Sequence, residues 1–246
     1  MGEVVELDTK NSVEEKKEPR KVKLVIGFPH LGMVNTEFMM ALVSMYRYLI
    51  FNPVVSEDIE IEYAEILRCG GSMLPKQRDE IVTLSKEAGA THLLFIDTDM
   101  VFDVEIAHKL LRARKTIIAC NASTKTSPPN PTARAFDHED LTGRPVYSTD
   151  KCPPIEEIWR IGTGVMLIDL EAMGKIPQPW FLMTYDTQRK AHCGEDWYFC
   201  KLAKGYGIPV YIHHHASMQV GHVGQYTYTL QQVNRHREFL RQKEQK

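Results

Sequence analysis

No excess of either charge, no paired cysteine motif and no long apolar run is found in this 246-residue sequence, and each absence excludes something. Lysine and arginine total 30 against 32 aspartates and glutamates, so no global positive field draws the chain onto phosphate polymers or anionic lipid. The five cysteines are odd in number and lack CxxC spacing. That argues against a disulfide framework and a structural zinc knot, and fits a reducing, cytoplasmic setting. No apolar stretch approaches the roughly 20 residues a membrane span requires, and Met1 to Arg20 is too acidic for a signal peptide, so no membrane partner is expected. The Met-Gly opening has Glu6 where a myristoylation site needs Ser or Thr.

What is present is the composition of an ordinary folded protein, 43% hydrophobic and 25% charged, at a length where a single α/β domain is common. Residues 1–20 have few large apolar groups to offset the entropy of ordering, which predicts a mobile tail. From Val22 the pattern alternates. Strands are predicted over Val22 to Phe28, Ile59 to Leu67, His92 to Ile96, Thr116 to Cys120, Val165 to Ile168 and Pro209 to His213. Helices are predicted over Glu37 to Phe51, Leu74 to Ala88 with Gly89 as the stop, from an Asp103 N-cap through Leu111, and over Glu195 to Lys204 ended by Gly205 and Gly207. Such a succession implies a mostly parallel central sheet flanked by helices over residues 21–225. A C-terminal helix is expected within 226–246, from Tyr226 to about Gln242. Between Asn121 and Pro154 the chain is rich in Pro, Ser, Thr and Asp, which predicts a long loop suited to acceptor contact.

Three clusters carry chemistry. The apolar strand Leu93-Leu94-Phe95-Ile96 ends in Asp97-Thr98-Asp99, and in extended geometry positions i and i+2 face the same side. Two carboxylates at a strand's carboxyl end suit a hard cation such as magnesium or manganese, while the structural alternative is a helix-capping acid, a role Asp103 fills better. Gly221-His222-Val223-Gly224 adds an imidazole nitrogen between glycines that allow close approach, and a nitrogen ligand favours manganese. Gly194-Glu195-Asp196-Trp197 places two acids at a helix start. Either the helix dipole stabilises them there, or one accepts the proton of an acceptor hydroxyl. His213-His214-His215 with Cys193 or Cys200 invites a zinc site, but neighbours on a strand point alternately to opposite faces.

In this order, with the strand entry Gly162-Thr163-Gly164, these elements resemble GT-A type nucleotide-sugar glycosyltransferases, family-2-like and similar to small phage-encoded enzymes, from about Lys21 to Gly224. The resemblance implies a single GT-A, Rossmann-like domain. It implies that Asp97 and Asp99 lie near the donor ribose and a divalent cation, Mn(2+) or Mg(2+), and that His222 completes the metal shell. Asp196 is then the first choice as catalytic base and Glu195 the second. Phe28, in Phe28-Pro29-His30, should border the nucleobase; Arg78 should contact the nucleotide, with Asp79 standing where many relatives have Asn; Gly162 and Gly164 should leave room for donor sugar or acceptor, although glycines serve a simple turn equally well.

The expected activity is metal-dependent transfer, with inversion, of a sugar from a nucleoside-diphosphate sugar to an acceptor hydroxyl, on a saccharide, a protein or a modified DNA base of a phage genome. For DNA, the basic residues between Arg235 and Lys246 would supply a local patch, and the setting would be host cytoplasm. The alternatives are a nucleotidyltransferase and a catalytically inactive nucleotide-sugar-binding module of the same fold.

Overall fold

The computed structural model describes residues 18–126, 128–138, 143–187 and 190–224; the tail at 1–17 and the helix expected at 226–246 lie outside them. In chain order the elements are β1 (Arg20–His30), α1 (Thr36–Phe51), β2 (Val54–Ser56), β3 (Ile59–Gly70), α2 (Leu74–Glu87), β4 (His92–Ile96), β5 (Met100–Phe102), α3 (Ile106–Arg112) and β6 (Ile117–Ala119). There follow β7 (Arg134–Ala135), β8 (Arg144–Pro145), β9 (Ile155–Ile158), β10 (Val165–Asp169), α4 (Leu170–Met173), β11 (Thr184–Asp186) and β12 (Ala191–Cys193). The described chain closes with α5 (Glu195–Gly205), β13 (Val210–His213), α6 (His214–Ser217) and β14 (Val220–His222).

Eight strands form the central sheet in the order β2-β3-β1-β4-β10-β6-β13-β9. β1, β3, β4, β6 and β13 share one direction, whereas β2, β10 and β9 run against their neighbours. Helices cover both faces, as the buried residues of β4 show: Leu94 and Ile96 pack with α1 and α3, and Leu93 and Phe95 with α2 and α5. A strand buried on both sides reads as the continuous apolar run seen in the sequence. In α1 the spacing of Phe38, Leu42, Met45 and Leu49 turns one face to the sheet, and the Asn35 side chain caps the start by accepting from the Glu37 N–H. The α/β class and most element positions match the sequence pattern.

Two local expectations are corrected. Helix α3 is capped at Glu105, not Asp103, because the chain from Met100 is held extended against β14 and the Asp103 N–H donates to the Gln219 carbonyl (3.2 Å). Asp103 instead accepts from Glu105 N–H (3.0 Å) and pairs with Lys109 (2.8 Å). The three histidines do not share a strand. His213 ends β13 and caps α6, and His214 is buried between Ser148 Oγ (2.9 Å) and Glu156 Oε2 (3.0 Å), so both serve local structure.

Candidate active site

The antiparallel course of β10 builds the site. Val165 pairs with Ile96, so the entry to β10 meets the end of β4, and the Asp97 N–H donates to the Gly164 carbonyl (2.9 Å). Asp97-Thr98-Asp99 does not continue extended. The Met100 N–H returns to the Asp97 carbonyl (3.0 Å), closing a turn between β4 and β5. The extended i, i+2 geometry expected here is replaced by this turn, and the two carboxylates take different partners.

Asp97 turns to Arg78. This arginine on α2 is 1% exposed; its Nη2 donates to Asp97 Oδ1 (2.8 Å) and its Nε to Glu195 Oε1 (3.3 Å). Its guanidinium lies near the Phe95 and Phe181 rings, 5.5 and 6.0 Å from their centroids. Arg78 thus joins the ends of β4 and α5 from beneath. It does not lie open to a nucleotide as expected, and Nη1 is buried without a hydrogen-bond partner among the described residues.

Asp99 turns the other way, toward β14. The β5/β14 ladder sets His222 opposite Met100, and the Asp99 carbonyl accepts from Val223 N–H (2.7 Å). Gly221 permits this approach, since a β-carbon there would stand 2.9 Å from Val101 Cγ2. His222 Nδ1 lies 2.8 Å from the Ser123 carbonyl oxygen, which can only accept, so Nδ1 carries the hydrogen. In the neutral ring Nε2 is then an acceptor, and it lies 3.3 Å from Asp99 Oδ1. That oxygen is buried and accepts no hydrogen bond among the described residues. The two acceptors are close enough for one cation to reach both, and a histidine whose other nitrogen donates to a backbone carbonyl is the usual form of a metal ligand. The second oxygen of Asp99 is paired with Lys125. Among the described residues no group of three or more His, Cys, Asp or Glu side chains is arranged to hold a metal ion.

Asp196 lies in the first turn of α5 with Oδ1 accepting from the Trp197 N–H (2.7 Å). Burial, and then the neighbouring Glu195 carboxylate, push its carboxyl above the ordinary aspartate range against the opposing pull of the Trp197 N–H, Arg78 and Arg160. Glu195 is committed to Arg78, whereas Asp196 accepts from the backbone of its own turn. Gly162 and Gly164 lie between the acids. A β-carbon on Gly162 would come 3.7 Å from Asp196 Oδ2, and one on Gly164 would come 3.7 Å from Asp97 Oδ2. Neither glycine sets a side chain against these oxygens.

Phe28, expected to border the nucleobase, turns its side chain into the core: it is 4% exposed and edge-on to Phe38 at 5.3 Å between centroids. The end of β1 is instead represented by His30, beside Arg68 (3.3 Å). The proline-rich segment after Asn121 reaches the site through Ser123 at His222, Lys125 at Asp99 and Thr132 at Gly162. Nothing in the local sequence singled out these three residues, because a lysine or threonine in a polar loop has no spacing signature.

No protein-family model matches the chain, and no curated protein matches it. Among solved structures it is similar to A197 from STIV, at 16% identity and a TM-score of 0.47 over 84% of this chain and 97% of that one. It is also similar to GalNAc-T7 with UDP, GalNAc and Mn2+, at 12% identity and a TM-score of 0.47, covering 83% of this chain and 44% of that one. A third is a glycosyltransferase involved in the glycosylation of the major capsid of PBCV-1, at 11% identity and a TM-score of 0.34 over 64% of this chain and 69% of that one.

Proposed function

We propose that the chain is a glycosyltransferase that moves a sugar from a nucleoside diphosphate to an acceptor hydroxyl, with a divalent cation bound at Asp99 and His222. The observation that carries this reading is the proximity of two acceptors, Asp99 Oδ1 and His222 Nε2 at 3.3 Å, at the carboxyl end of the sheet, the oxygen buried and accepting no hydrogen bond among the described residues. One hard oxygen and one imidazole nitrogen favour manganese over calcium or magnesium, and Asp97, now bonded to Arg78, would be the nearest candidate in the sequence for a third ligand. The cation, when bound, neutralises the diphosphate as it leaves.

The chain's own residues supply the rest. Asp196, kept basic by burial, takes the proton of the acceptor hydroxyl. The acceptor oxygen bonds to the anomeric carbon while the bond to the diphosphate oxygen breaks and its electron pair leaves with the diphosphate, giving inversion. Glu195 and Asp97 are held through Arg78, a positioning residue, and Gly162 and Gly164 admit the sugar between the acids.

The test is a thermal-shift screen of uridine, guanosine, cytidine and adenosine diphosphate sugars, with and without manganese, on the full chain and on Asp99→Ala and His222→Ala. Manganese-dependent stabilisation by one nucleotide class, lost in both variants, is expected. Unchanged metal dependence in both variants removes the metal assignment. Pyrophosphate release from a nucleoside triphosphate supports a nucleotidyltransferase instead.

A further inference from the structure

A cavity of about 820 Å³ lies between the outer face of α5 and the β11–β12 hairpin, within the size range of small-ligand sites. Its lining includes Tyr185 on β11, Trp197, Tyr198 and Lys201 on α5, Tyr206 at that helix's end and Asp186 on the hairpin. Helical spacing explains the grouping, because Trp197 and Lys201 are four residues apart and so share a face. Phe199, Cys200 and Ala203 turn the opposite way into the core.

The cavity adjoins the catalytic turn. Cys193 and Trp197, the residues on either side of Gly194-Glu195-Asp196, both line it. The Trp197 ring is held edge-on by Trp159 at 5.8 Å between centroids and covered by Arg160 at 4.5 Å, so it is a fixed surface. Tyr185 and Tyr206 are 53% and 49% exposed, a large aromatic area left open in a concave place.

Resting on the transferase reading above, we propose that this cavity binds the acceptor and that the acceptor is a neutral saccharide whose reacting hydroxyl reaches Asp196. A sugar ring has apolar C–H faces and a rim of hydroxyls. The faces match the open rings of Tyr185 and Tyr206, and the rim matches tyrosine and threonine hydroxyls that both donate and accept. Lys201 and Asp186 balance in charge, whereas a nucleic acid demands a net positive groove. A purely apolar ligand would leave the hydroxyls of Thr184, Thr187 and the tyrosines unpaired.

The experiment is binding of the full chain, without nucleotide or metal, to a printed array of neutral, acidic and basic glycans, with poly(dT) as a further probe. Binding to neutral glycans is expected. It should weaken roughly tenfold in Tyr206→Ala and Tyr185→Ala, the loss of one stacking ring, and stay unchanged in Tyr63→Ala, an exposed tyrosine on β3. Binding to no glycan, preference for poly(dT), or glycan binding retained by both cavity variants would each overturn the assignment. A chain that binds nucleotide-sugar through Asp99 but no glycan fails only here, whereas one that binds glycan but no nucleotide-sugar fails as a transferase.

Discussion

Lys125 is ion-paired with Asp99 on the carboxylate oxygen farther from His222, so a cation of the chain itself shares that carboxylate with the proposed metal. Both side chains are about two-fifths exposed, and the Lys125 stem rests against Gly224. An exposed pair of this kind is worth up to about 1 kcal/mol, so a divalent cation can displace it.

Lys125→Met removes that competitor and a repelling charge. Manganese titrated calorimetrically into the variant should bind roughly fivefold more tightly than into the unaltered chain, the equivalent of about 1 kcal/mol. Equal or weaker binding would mean that Lys125 does not compete at Asp99.

Arg78→Met should behave quite differently, because it strips the shared counter-charge from Asp97 and Glu195. Breaking a buried ionic link costs about 3–5 kcal/mol, and the lower end applies here since the Asp97 side chain is 31% exposed. Urea denaturation reads the loss directly. A variant within about 0.5 kcal/mol of the unaltered chain would show that the guanidinium does not tie β4 to α5.

Asp196→Asn separates catalysis from stability. Turnover should fall with donor affinity maintained, while Glu195→Gln should lower turnover less. An acid whose pKa is raised on folding binds more protons in the folded state than in the unfolded one. Its ionisation therefore costs stability progressively as pH rises from about 3.9 through the folded value. The Asn variant should accordingly melt higher than the parent at neutral pH, with the gap closing below about pH 4. The acid limb of the parent's pH–rate profile should lie above the ordinary aspartate range. An active Asn variant, or retention of anomeric configuration in the product, would remove Asp196 as the base.

Gly162→Ala tests the gap between the acids. Gly162 has no left-handed backbone angle, and its added carbon would sit 3.4 Å from Thr132 Cβ and 3.7 Å from Asp196 Oδ2, ordinary contacts. The fold should tolerate the change, even gaining about 0.4–1 kcal/mol from reduced freedom of the unfolded chain. Transfer should nonetheless drop because the methyl occupies the space beside the base. Full activity with unaltered stability would assign Gly162 to the turn alone.

The sequence by itself determined the alternation of strands and helices, the buried β4, and the positions of Asp97, Asp99, Glu195, Asp196 and His222 at element ends. Those features follow from local periodicity and from glycine and acid placement at termini, which neighbouring residues in the chain encode. Its account of how the side chains point failed where distant segments intervene. The turn at Asp97–Met100 is closed by the backbone, Arg78 is drawn inward by two carboxylates 19 and 117 residues away, and Phe28 is captured by α1. Only the tertiary structure could set His222 against Asp99, because an antiparallel ladder between β5 and β14 joins segments more than 100 residues apart. The same holds for Gly162 and Gly164 beside the acids, since the reversed direction of β10 brings its first residue to the last residue of β4. Periodicity records which face of an element is buried; pairing between remote strands decides what each strand end meets.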